Sequence, residues 1–214
     1  MALTLYYHPF ASYCWKALIA LYETDTPFTP HNLDLGDPKV RAEFNALSPF
    51  GKMPLLQDGE TLVFEATVVI EHLALHHPGR VELIPRDPLA ALPVRHRDRV
   101  FDLYVQESMQ KIVGDRLRPE GAKDPFGVAQ ARATLRTAYA LIETWAAEGP
   151  WMMGQAFTLA DCAAAPALHY ADKVEPFGED FPNTAAYLAR LKQRPSFARV
   201  LAEAAPYDHF FPQE

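Results

Sequence analysis

One stretch of the chain decides its fold. It spans residues 53–64 and reads Met53-Pro54-Leu55-Leu56-Gln57-Asp58-Gly59-Glu60-Thr61-Leu62-Val63-Phe64. Two short apolar runs flank Asp58-Gly59, a dipeptide that supplies the positive φ angles of a two-residue hairpin turn. The stretch therefore predicts a strand, a tight turn and a second strand that pairs antiparallel with the first.

The residues on either side of this hairpin predict a small α/β unit. Leu3–Tyr7 is short and apolar, as a buried strand should be, and a helix with one apolar face follows from about Ser12. Phe28–Leu33 contains a proline, which suits an edge strand, and Pro38–Leu47 is interpreted as a short helix or irregular segment. Another helix follows the hairpin from Glu65. The predicted order is β-α-β-α-β-β-α, which describes a mixed sheet.

Strand signals end after Pro78-Gly79. Proline recurs through residues 80–92, which are interpreted as a linker between a first domain, residues 1–79, and a second domain, residues 93–214. The second domain is predicted to be all-helical, and its short loops imply antiparallel neighbours. Its candidate helices run from about Leu89 to Leu117, Val128 to Glu148, Leu159 to Ala171, Thr184 to Lys192 and Ser196 to Ala204.

Composition excludes several classes of protein. Of the 214 residues, 49% are hydrophobic and 22% are charged, so the chain can bury a core and is not disordered. A net charge of −7 without a dense basic patch argues against binding to nucleic acid. We find no signal peptide and no run of membrane-spanning length, and therefore expect a cytoplasmic protein that does not enter membranes. The 2 cysteines are too few for a disulfide framework.

Two motifs at one end of the predicted sheet have the chemistry to bind a ligand. If the Met53-Pro54 bond is cis, the backbone of Met53 turns outward and can pair with a peptide-like ligand, whereas a trans proline would simply begin a strand. Glu65-Ala66 opens a helix, whose free N–H groups attract carboxylates. The Glu65 side chain can receive a ligand ammonium group, or it can merely complement the helix N-terminus.

The loop before the first helix is a third such position. A hydroxyl or thiol at a helix start can donate a hydrogen bond to a thiolate, and a thiol there can itself become a thiolate that the helix dipole stabilises. Ser12 and Cys14 provide these groups. Each also has an ordinary structural explanation, since Ser12 can cap the helix and Cys14 can be a small buried side chain.

A histidine-rich helix end is the metal candidate in the sequence. His72 and His76 stand four residues apart, which places two imidazoles on one helix face, and His77 follows them. No third ligand is evident. Surface or helix-packing roles are therefore favoured, and no metal site is expected.

Four spaced motifs extend these observations along nearly the whole chain. They are Tyr7-His8-Pro9 with Ser12, residues 45–56, residues 62–66 and residues 157–161. In order and spacing they resemble the cytosolic glutathione transferase family, in particular its serine and cysteine classes. The resemblance implies a thioredoxin-like N-terminal domain, an all-helical C-terminal domain and a glutathione site at their junction. It also implies that Thr158 and Asp161 form a buried capping box that serves folding.

The resemblance assigns roles to residues that match the family's motifs. Pro54 corresponds to the cis proline, and Met53 to the residue whose backbone holds the cysteinyl part of glutathione. Lys52 corresponds to a side chain that reaches the glycyl carboxylate, and Glu65 to the acidic residue that binds the γ-glutamyl end. Ala66 stands where the family usually has Ser or Thr. One hydrogen bond to the γ-glutamyl carboxylate, typically ~0.5–1.5 kcal/mol, is therefore missing, although the Ala66 N–H can still donate.

Several residues remain candidates for activating the glutathione thiol. Ser12 best matches the activating position of the serine and cysteine classes. A one-residue shift of the alignment places Ala11 there instead, with no side chain to help. Tyr6 and Tyr7, at the end of the first strand, are the alternatives from the tyrosine classes, and Cys14 is another.

The expected function is a glutathione transferase, which uses the activated thiol of its co-substrate glutathione to attack small hydrophobic electrophiles. The electrophile is expected to contact Phe10 and the helical residues Tyr104, Met109 and Ile112, although core packing is the alternative for the last three. Glutathione-dependent disulfide reduction by Cys14 and ligand binding without turnover remain alternative functions. A homodimer is also implied by the resemblance.

Overall fold

The computed structural model describes residues 3–213, and the first part of the chain forms a four-stranded sheet. The strands are β1 (Leu3–Tyr7), β2 (Phe28–Asn32), β3 (Leu55–Asp58) and β4 (Thr61–Phe64). They lie in the order β2-β1-β3-β4, with β1 and β2 parallel and the other pairs antiparallel. The accompanying helices are α1 (Ser12–Thr24), α2 (Pro38–Leu47) and α3 (Ala66–His76). The predicted thioredoxin-like order is confirmed.

The hairpin forms where it was predicted, but its loop is shifted by one residue. Asp58 ends β3 and pairs with Thr61, which begins β4. The two loop residues are therefore Gly59 and Glu60, and of these Gly59 has the positive φ, 61°. Asp58 remains in the sheet, opposite Leu3 of β1.

The chain from Pro88 onward is mainly helical, which confirms the predicted second half of the fold. Its α-helices are α4 (Pro88–Val100), α5 (Glu107–Arg116), α6 (Pro125–Ala146), α7 (Leu159–Val174), α8 (Pro182–Gln193) and α9 (Pro195–Ala204). Short 3-10 helices cover Glu120–Ala122 and Ala205–Phe210. Within residues 3–213, no helix combines the length and the apolar character that crossing a membrane requires.

Helix α4 begins within one residue of its predicted start, but it passes into a segment that the sequence did not predict. It begins at Pro88, inside the range expected for the linker, because the Asp87 carboxylate accepts hydrogen bonds from the N–H groups of Leu89 and Ala90. Proline also suits the first turn of a helix. The single helix expected from Leu89 to Leu117 is instead interrupted by a π-helical segment, Phe101–Gln106. Such segments are frequent at functional sites.

Helix α1 lies at the centre of the molecule. Every residue from Cys14 to Leu21 is buried. One continuous apolar core runs from Leu5 of the sheet through α1 to Leu168 and Phe197 of the helical part. Because α1 is buried on all sides, the loop that leads into it lies where the two parts of the chain meet.

Candidate functional site

A cleft of about 540 Å³ opens at this junction, beside the start of β3. Three segments that are far apart in the sequence line its sheet side, and α5 lines the opposite side. The lining residues are Ala11, Ser12, Tyr13, Ser48, Phe50, Gly51, Lys52, Met53, Pro54, Phe64, Glu65, Ala66, Glu107 and Gln110. The structure thus brings together the three motifs that the sequence singled out.

The loop before β3 is fixed by its own hydrogen bonds. The buried Ser48 hydroxyl donates to the carbonyl of Lys52 at 3.1 Å, and the Gly51 N–H donates to the carbonyl of Ser48 at 2.9 Å. Gly51 has a φ of +59°, a conformation that L side chains rarely adopt. The Met53-Pro54 bond is cis, as predicted. Pro54 is buried under the cleft, whereas the Lys52 side chain is exposed.

The start of α3 has an unusual backbone. Glu65 precedes the helix with φ +65° and ψ 119°, and its side chain makes no capping hydrogen bond. A glutamate in this region costs about 1–3 kcal/mol, and such strain clusters at ligand sites. The Glu65 side chain is exposed in the cleft, while Ala66 is buried. The N–H groups of the first helical turn have no partner within the helix, so they can bind an anion.

Ser12 is the first residue of α1, and the N-cap is Ala11. The interpretation of Ser12 as an N-cap is therefore wrong. Its hydroxyl is buried and is held by α5 and the π-helical segment: Gln106 Nε2 donates to Ser12 Oγ, and so does Gln110 Nε2 at 3.5 Å. A hydroxyl has two lone pairs and one proton. In this orientation of the two amides the Ser12 proton remains available to donate, and the buried Gln106 Oε1 has no hydrogen-bond partner among the described residues.

Cys14 lies on the inner face of α1 and not in the cleft. Its side chain is fully buried, and burial raises the pKa of the thiol to about 12, against a smaller lowering by a backbone hydrogen bond from His8. Disulfide exchange needs an accessible thiolate. The structure therefore removes the basis for a reductase that uses Cys14.

Tyr7, Tyr6 and Ala11, which were also candidates for thiol activation, have different surroundings. Tyr7 lies outside the residues that line the cleft, and burial together with the nearby Glu203 carboxylate raises the pKa of its phenol. The Tyr6 hydroxyl donates to Gln57 Oε1 at 3.1 Å. Ala11 does line the cleft, but its N–H already donates to the carbonyl of His8 at 3.0 Å. Ser12 is thus the hydroxyl among these candidates that faces the cleft.

The side chains expected to contact the electrophile are dispersed. Met109 and Ile112 are 3% and 2% exposed and belong to the apolar core, so core packing explains both. Phe10 packs edge-on against Tyr170, with ring centroids 5.8 Å apart. Tyr104 is 52% exposed but is not among the lining residues. An amphipathic pattern does not distinguish a pocket wall from a core face, because both are apolar.

Sequence reasoning missed the polar wall of the cleft. The Tyr13 hydroxyl donates to Glu107 Oε1 at 3.0 Å. Burial, reinforced by the charges of Asp102 and Glu107, raises the pKa of Tyr13, which therefore stays a neutral donor. Gln106 and Gln110 stand four residues apart, a spacing that puts two amides on one helix face. That spacing was a usable signal.

A buried ionic network below the cleft was also missed. Lys16, which is 1% exposed, contacts Asp98 at 2.6 Å and Asp102 at 2.7 Å. Thr67 receives a hydrogen bond from Lys16 at 2.8 Å and donates to Asp98 at 3.1 Å, and Arg99 closes the network on the solvent side. A buried lysine requires such partners, since an unpaired charge is very costly to bury. The network ties the start of α3 to α1 and α4.

The fold is a thioredoxin-like domain followed by a helical bundle, with a polar cleft between them. Residues 5–81 match the family described as Glutathione S-transferase, N-terminal domain, and residues 125–190 match Glutathione S-transferase, C-terminal domain. The chain belongs to the glutathione S-transferase family. The resemblance of its motifs to this family is confirmed at the level of the family.

Proteins similar in sequence to this chain are named for different functions. Stringent starvation protein A homolog of Pasteurella multocida is 28% identical over 200 residues, covering 91% of this chain and 87% of the relative. FtsZ-localized protein A of Caulobacter vibrioides is 29% identical over 220 residues, covering 95% and 92%. A solved glutathione S-transferase from Methylobacterium radiotolerans, in complex with glutathione sulfonate, is 26% identical with a TM-score of 0.81 and covers 94% of both chains.

Proposed function

We propose that the protein is a glutathione transferase in which the Ser12 hydroxyl stabilises the glutathione thiolate for attack on a small electrophile. The observation that carries the proposal is the position of Ser12 in the cleft, with Gln106 and Gln110 donating to its oxygen. If the Gln106 amide were rotated by about 180°, its Oε1 would instead accept a hydrogen bond from the Ser12 hydroxyl. A thiolate in the cleft favours the orientation described, because it offers the Ser12 proton a charged acceptor.

The charges around the cleft match the ends of glutathione. Glutathione has a carboxylate and an ammonium group at its γ-glutamyl end and a carboxylate at its glycyl end. We place the γ-glutamyl end at Glu65 and the N–H of Ala66, the cysteinyl backbone at Met53, and the glycyl carboxylate near Lys52. This pose directs the sulfur toward Ser12. The glutathione sulfonate bound to the Methylobacterium radiotolerans relative supports a ligand of this class.

The energetics of thiol activation are within reach of this site. A free thiol has a pKa near 8.5, so lowering it by about two units requires roughly 2.7 kcal/mol of preference for the thiolate. A hydrogen bond to a charged group contributes ~1.5–3 kcal/mol. The Ser12 hydroxyl, assisted by the N-terminus of α1, can supply most of this difference.

The electrophile would approach from the α5 side of the cleft. Glu107 and Gln110 line that side, and Tyr13 of α1 contacts Glu107 across the cleft, so this wall is more polar than the sequence analysis expected. We propose a small electrophile that offers a hydrogen-bond acceptor to the Gln110 amide. We also retain a homodimer, a cytoplasmic location and a domain division after residue 79 as parts of the proposal. Sedimentation of a 24.0 kDa species at micromolar concentration would contradict the dimer.

The test compares Ser12→Ala with Ser108→Ala. Ser108 is also buried, on α5, but it does not line the cleft. Ser12→Ala should lower kcat/KM for conjugation of glutathione to a chloronitrobenzene by about ten- to a hundredfold and should raise the pKa of the bound thiol. Ser108→Ala should change neither. Full activity and an unchanged thiol pKa in Ser12→Ala would refute the role of Ser12.

A binding protein without turnover is the second candidate function. Ala66 lacks the hydroxyl that would hold the γ-glutamyl carboxylate, and two relatives are named for starvation response and for localisation with FtsZ. Measurable glutathione binding, without conjugation or reduction of a disulfide substrate, would favour this candidate over the transferase.

A further inference from the structure

Two histidines converge on one carboxylate oxygen at the end of the sheet remote from the cleft. Asp58 Oδ2 lies 2.9 Å from His72 Nε2 and 2.7 Å from His77 Nε2. The three potential ligand atoms all lie within 4.8 Å of one another, and all three residues are half-buried. The sequence analysis paired His72 with His76 and found no third ligand. The structure instead joins His72 to His77 through Asp58.

We propose that Asp58, His72 and His77 form a binding site for a divalent transition-metal ion, with Zn²⁺ as the preferred ion. Two imidazole nitrogens and one carboxylate oxygen are a donor set that Zn²⁺ takes, with water completing a tetrahedron. Ligand bonds of about 2.0–2.2 Å place tetrahedral donors roughly 3.3 Å apart. The present separations from Asp58 Oδ2 are about half an ångström shorter, so small rotations of the side chains make room for the ion.

The elements that present these ligands are ordered. Asp58 lies in β3, where it pairs with Leu3 on one side and Thr61 on the other. His72 lies on α3, and His77 caps the C-terminus of that helix, with its N–H donating to the Leu73 carbonyl at 2.8 Å. A metal site needs ligands on rigid elements. A bound ion would link the hairpin to the last turn of α3.

A competing explanation must be separated from this one. The imidazoles of His72 and His76 have ring centroids 4.5 Å apart, and their helical spacing is itself able to hold a metal ion on the surface. That competing site needs neither Asp58 nor His77. The two sites therefore respond oppositely to substitution of Asp58 or His77 and of His76, whereas loss of the shared His72 weakens both.

The experiment measures Zn²⁺ binding by titration calorimetry on the full-length chain without a polyhistidine tag. Asp58→Asn, His72→Ala and His77→Gln should each weaken binding by at least about tenfold, whereas His76→Ala should leave it unchanged. Each variant is first compared with the parent by circular dichroism and by its melting temperature without metal. Zn²⁺ should raise the melting temperature of the parent and of His76→Ala, because the ion binds the folded state.

Two results would overturn the proposal. One is the absence of saturable binding by the parent protein at micromolar Zn²⁺. The other is binding that His76→Ala removes while Asp58→Asn and His77→Gln retain it. Because the site is distant from Ser12, conjugation activity in the zinc-free protein tests the transferase proposal separately.

Discussion

The starts of α7 and α3 solve the same problem in opposite ways. The first turn of any helix has N–H groups without intrahelical partners. At α7, Thr158 and Asp161 form a capping box, and Asp161 also accepts hydrogen bonds from the Met152 N–H at 2.8 Å and the Tyr187 hydroxyl at 2.7 Å. At α3, Glu65 makes no capping hydrogen bond and its backbone has a positive φ.

The difference shows what each helix start is for. The start of α7 is buried, and the N–H groups of its first turn are hydrogen-bonded within the chain. This helix start therefore contributes to the stability of the fold. The start of α3 borders the cleft, and its N–H groups are available to a ligand carboxylate. Thr67, the second residue of α3, holds the start of this helix in place through its hydrogen bonds to the buried Lys16 network.

The largest effect that tests this comparison is expected at Asp161. Asp161→Ala leaves the buried donors of Met152, Thr158 and Tyr187 without their acceptor, and each such loss costs ~1–3 kcal/mol. The free energy of unfolding, measured by urea denaturation, should fall by at least about 3 kcal/mol. Asp87→Ala, which removes the exposed cap of α4, is the control and should cost only ~1 kcal/mol. Equal losses in the two variants would show that the α7 cap has no special importance.

A smaller effect is expected at Glu65, and on binding rather than on folding. Glu65→Gln keeps a hydrogen-bond acceptor but removes the charge that faces the ligand ammonium group. Glutathione should bind more weakly by ~1–2 kcal/mol, or about five- to thirtyfold, in titration calorimetry. Glu60→Gln, in the hairpin loop at the far end of the sheet, should bind as the parent does. An unchanged dissociation constant in Glu65→Gln would show that the γ-glutamyl end does not bind at Glu65.

The smallest expected effect is a gain at Ala66. Ala66→Ser adds the hydroxyl that the γ-glutamyl carboxylate lacks, and a helix start tolerates serine. Binding should tighten by ~0.5–1.5 kcal/mol, or roughly two- to twelvefold. Ala46→Ser, an exposed position on α2, provides the matched control. If Ala66→Ser binds glutathione no more tightly, the start of α3 is not the carboxylate site.

Local signals in the sequence were sufficient for most of the fold. The apolar run and Gly59 specify the hairpin, and the predicted helices of α8 and α9 lie within the observed ones, which begin at prolines. Helix α7 begins at the predicted Leu159 but continues to Val174, beyond the predicted Ala171. The helix predicted from Leu89 to Leu117 corresponds to a continuous helical run from Pro88 to Arg116. The π-helical segment inside this run, Phe101–Gln106, is a change in hydrogen bonding from i+4 to i+5 that was not predicted from the sequence.

For the candidate site, the sequence by itself determined which short motifs approach the cleft, because residues 52–54 and 65–66 are fixed by local turns and by a helix start. Only the tertiary structure decided the surroundings of each side chain. The orientation of α1 about its own axis decides which of its side chains face the core and which face the cleft. It buries Cys14, places Ser12 beside Gln106 and Gln110, and pairs Lys16 with Asp98. The meeting of Asp58 with His77 likewise depends on how α3 packs against the sheet. The physical reason is that a residue's chemistry depends on its burial and its partners, and those partners lie far away along the chain.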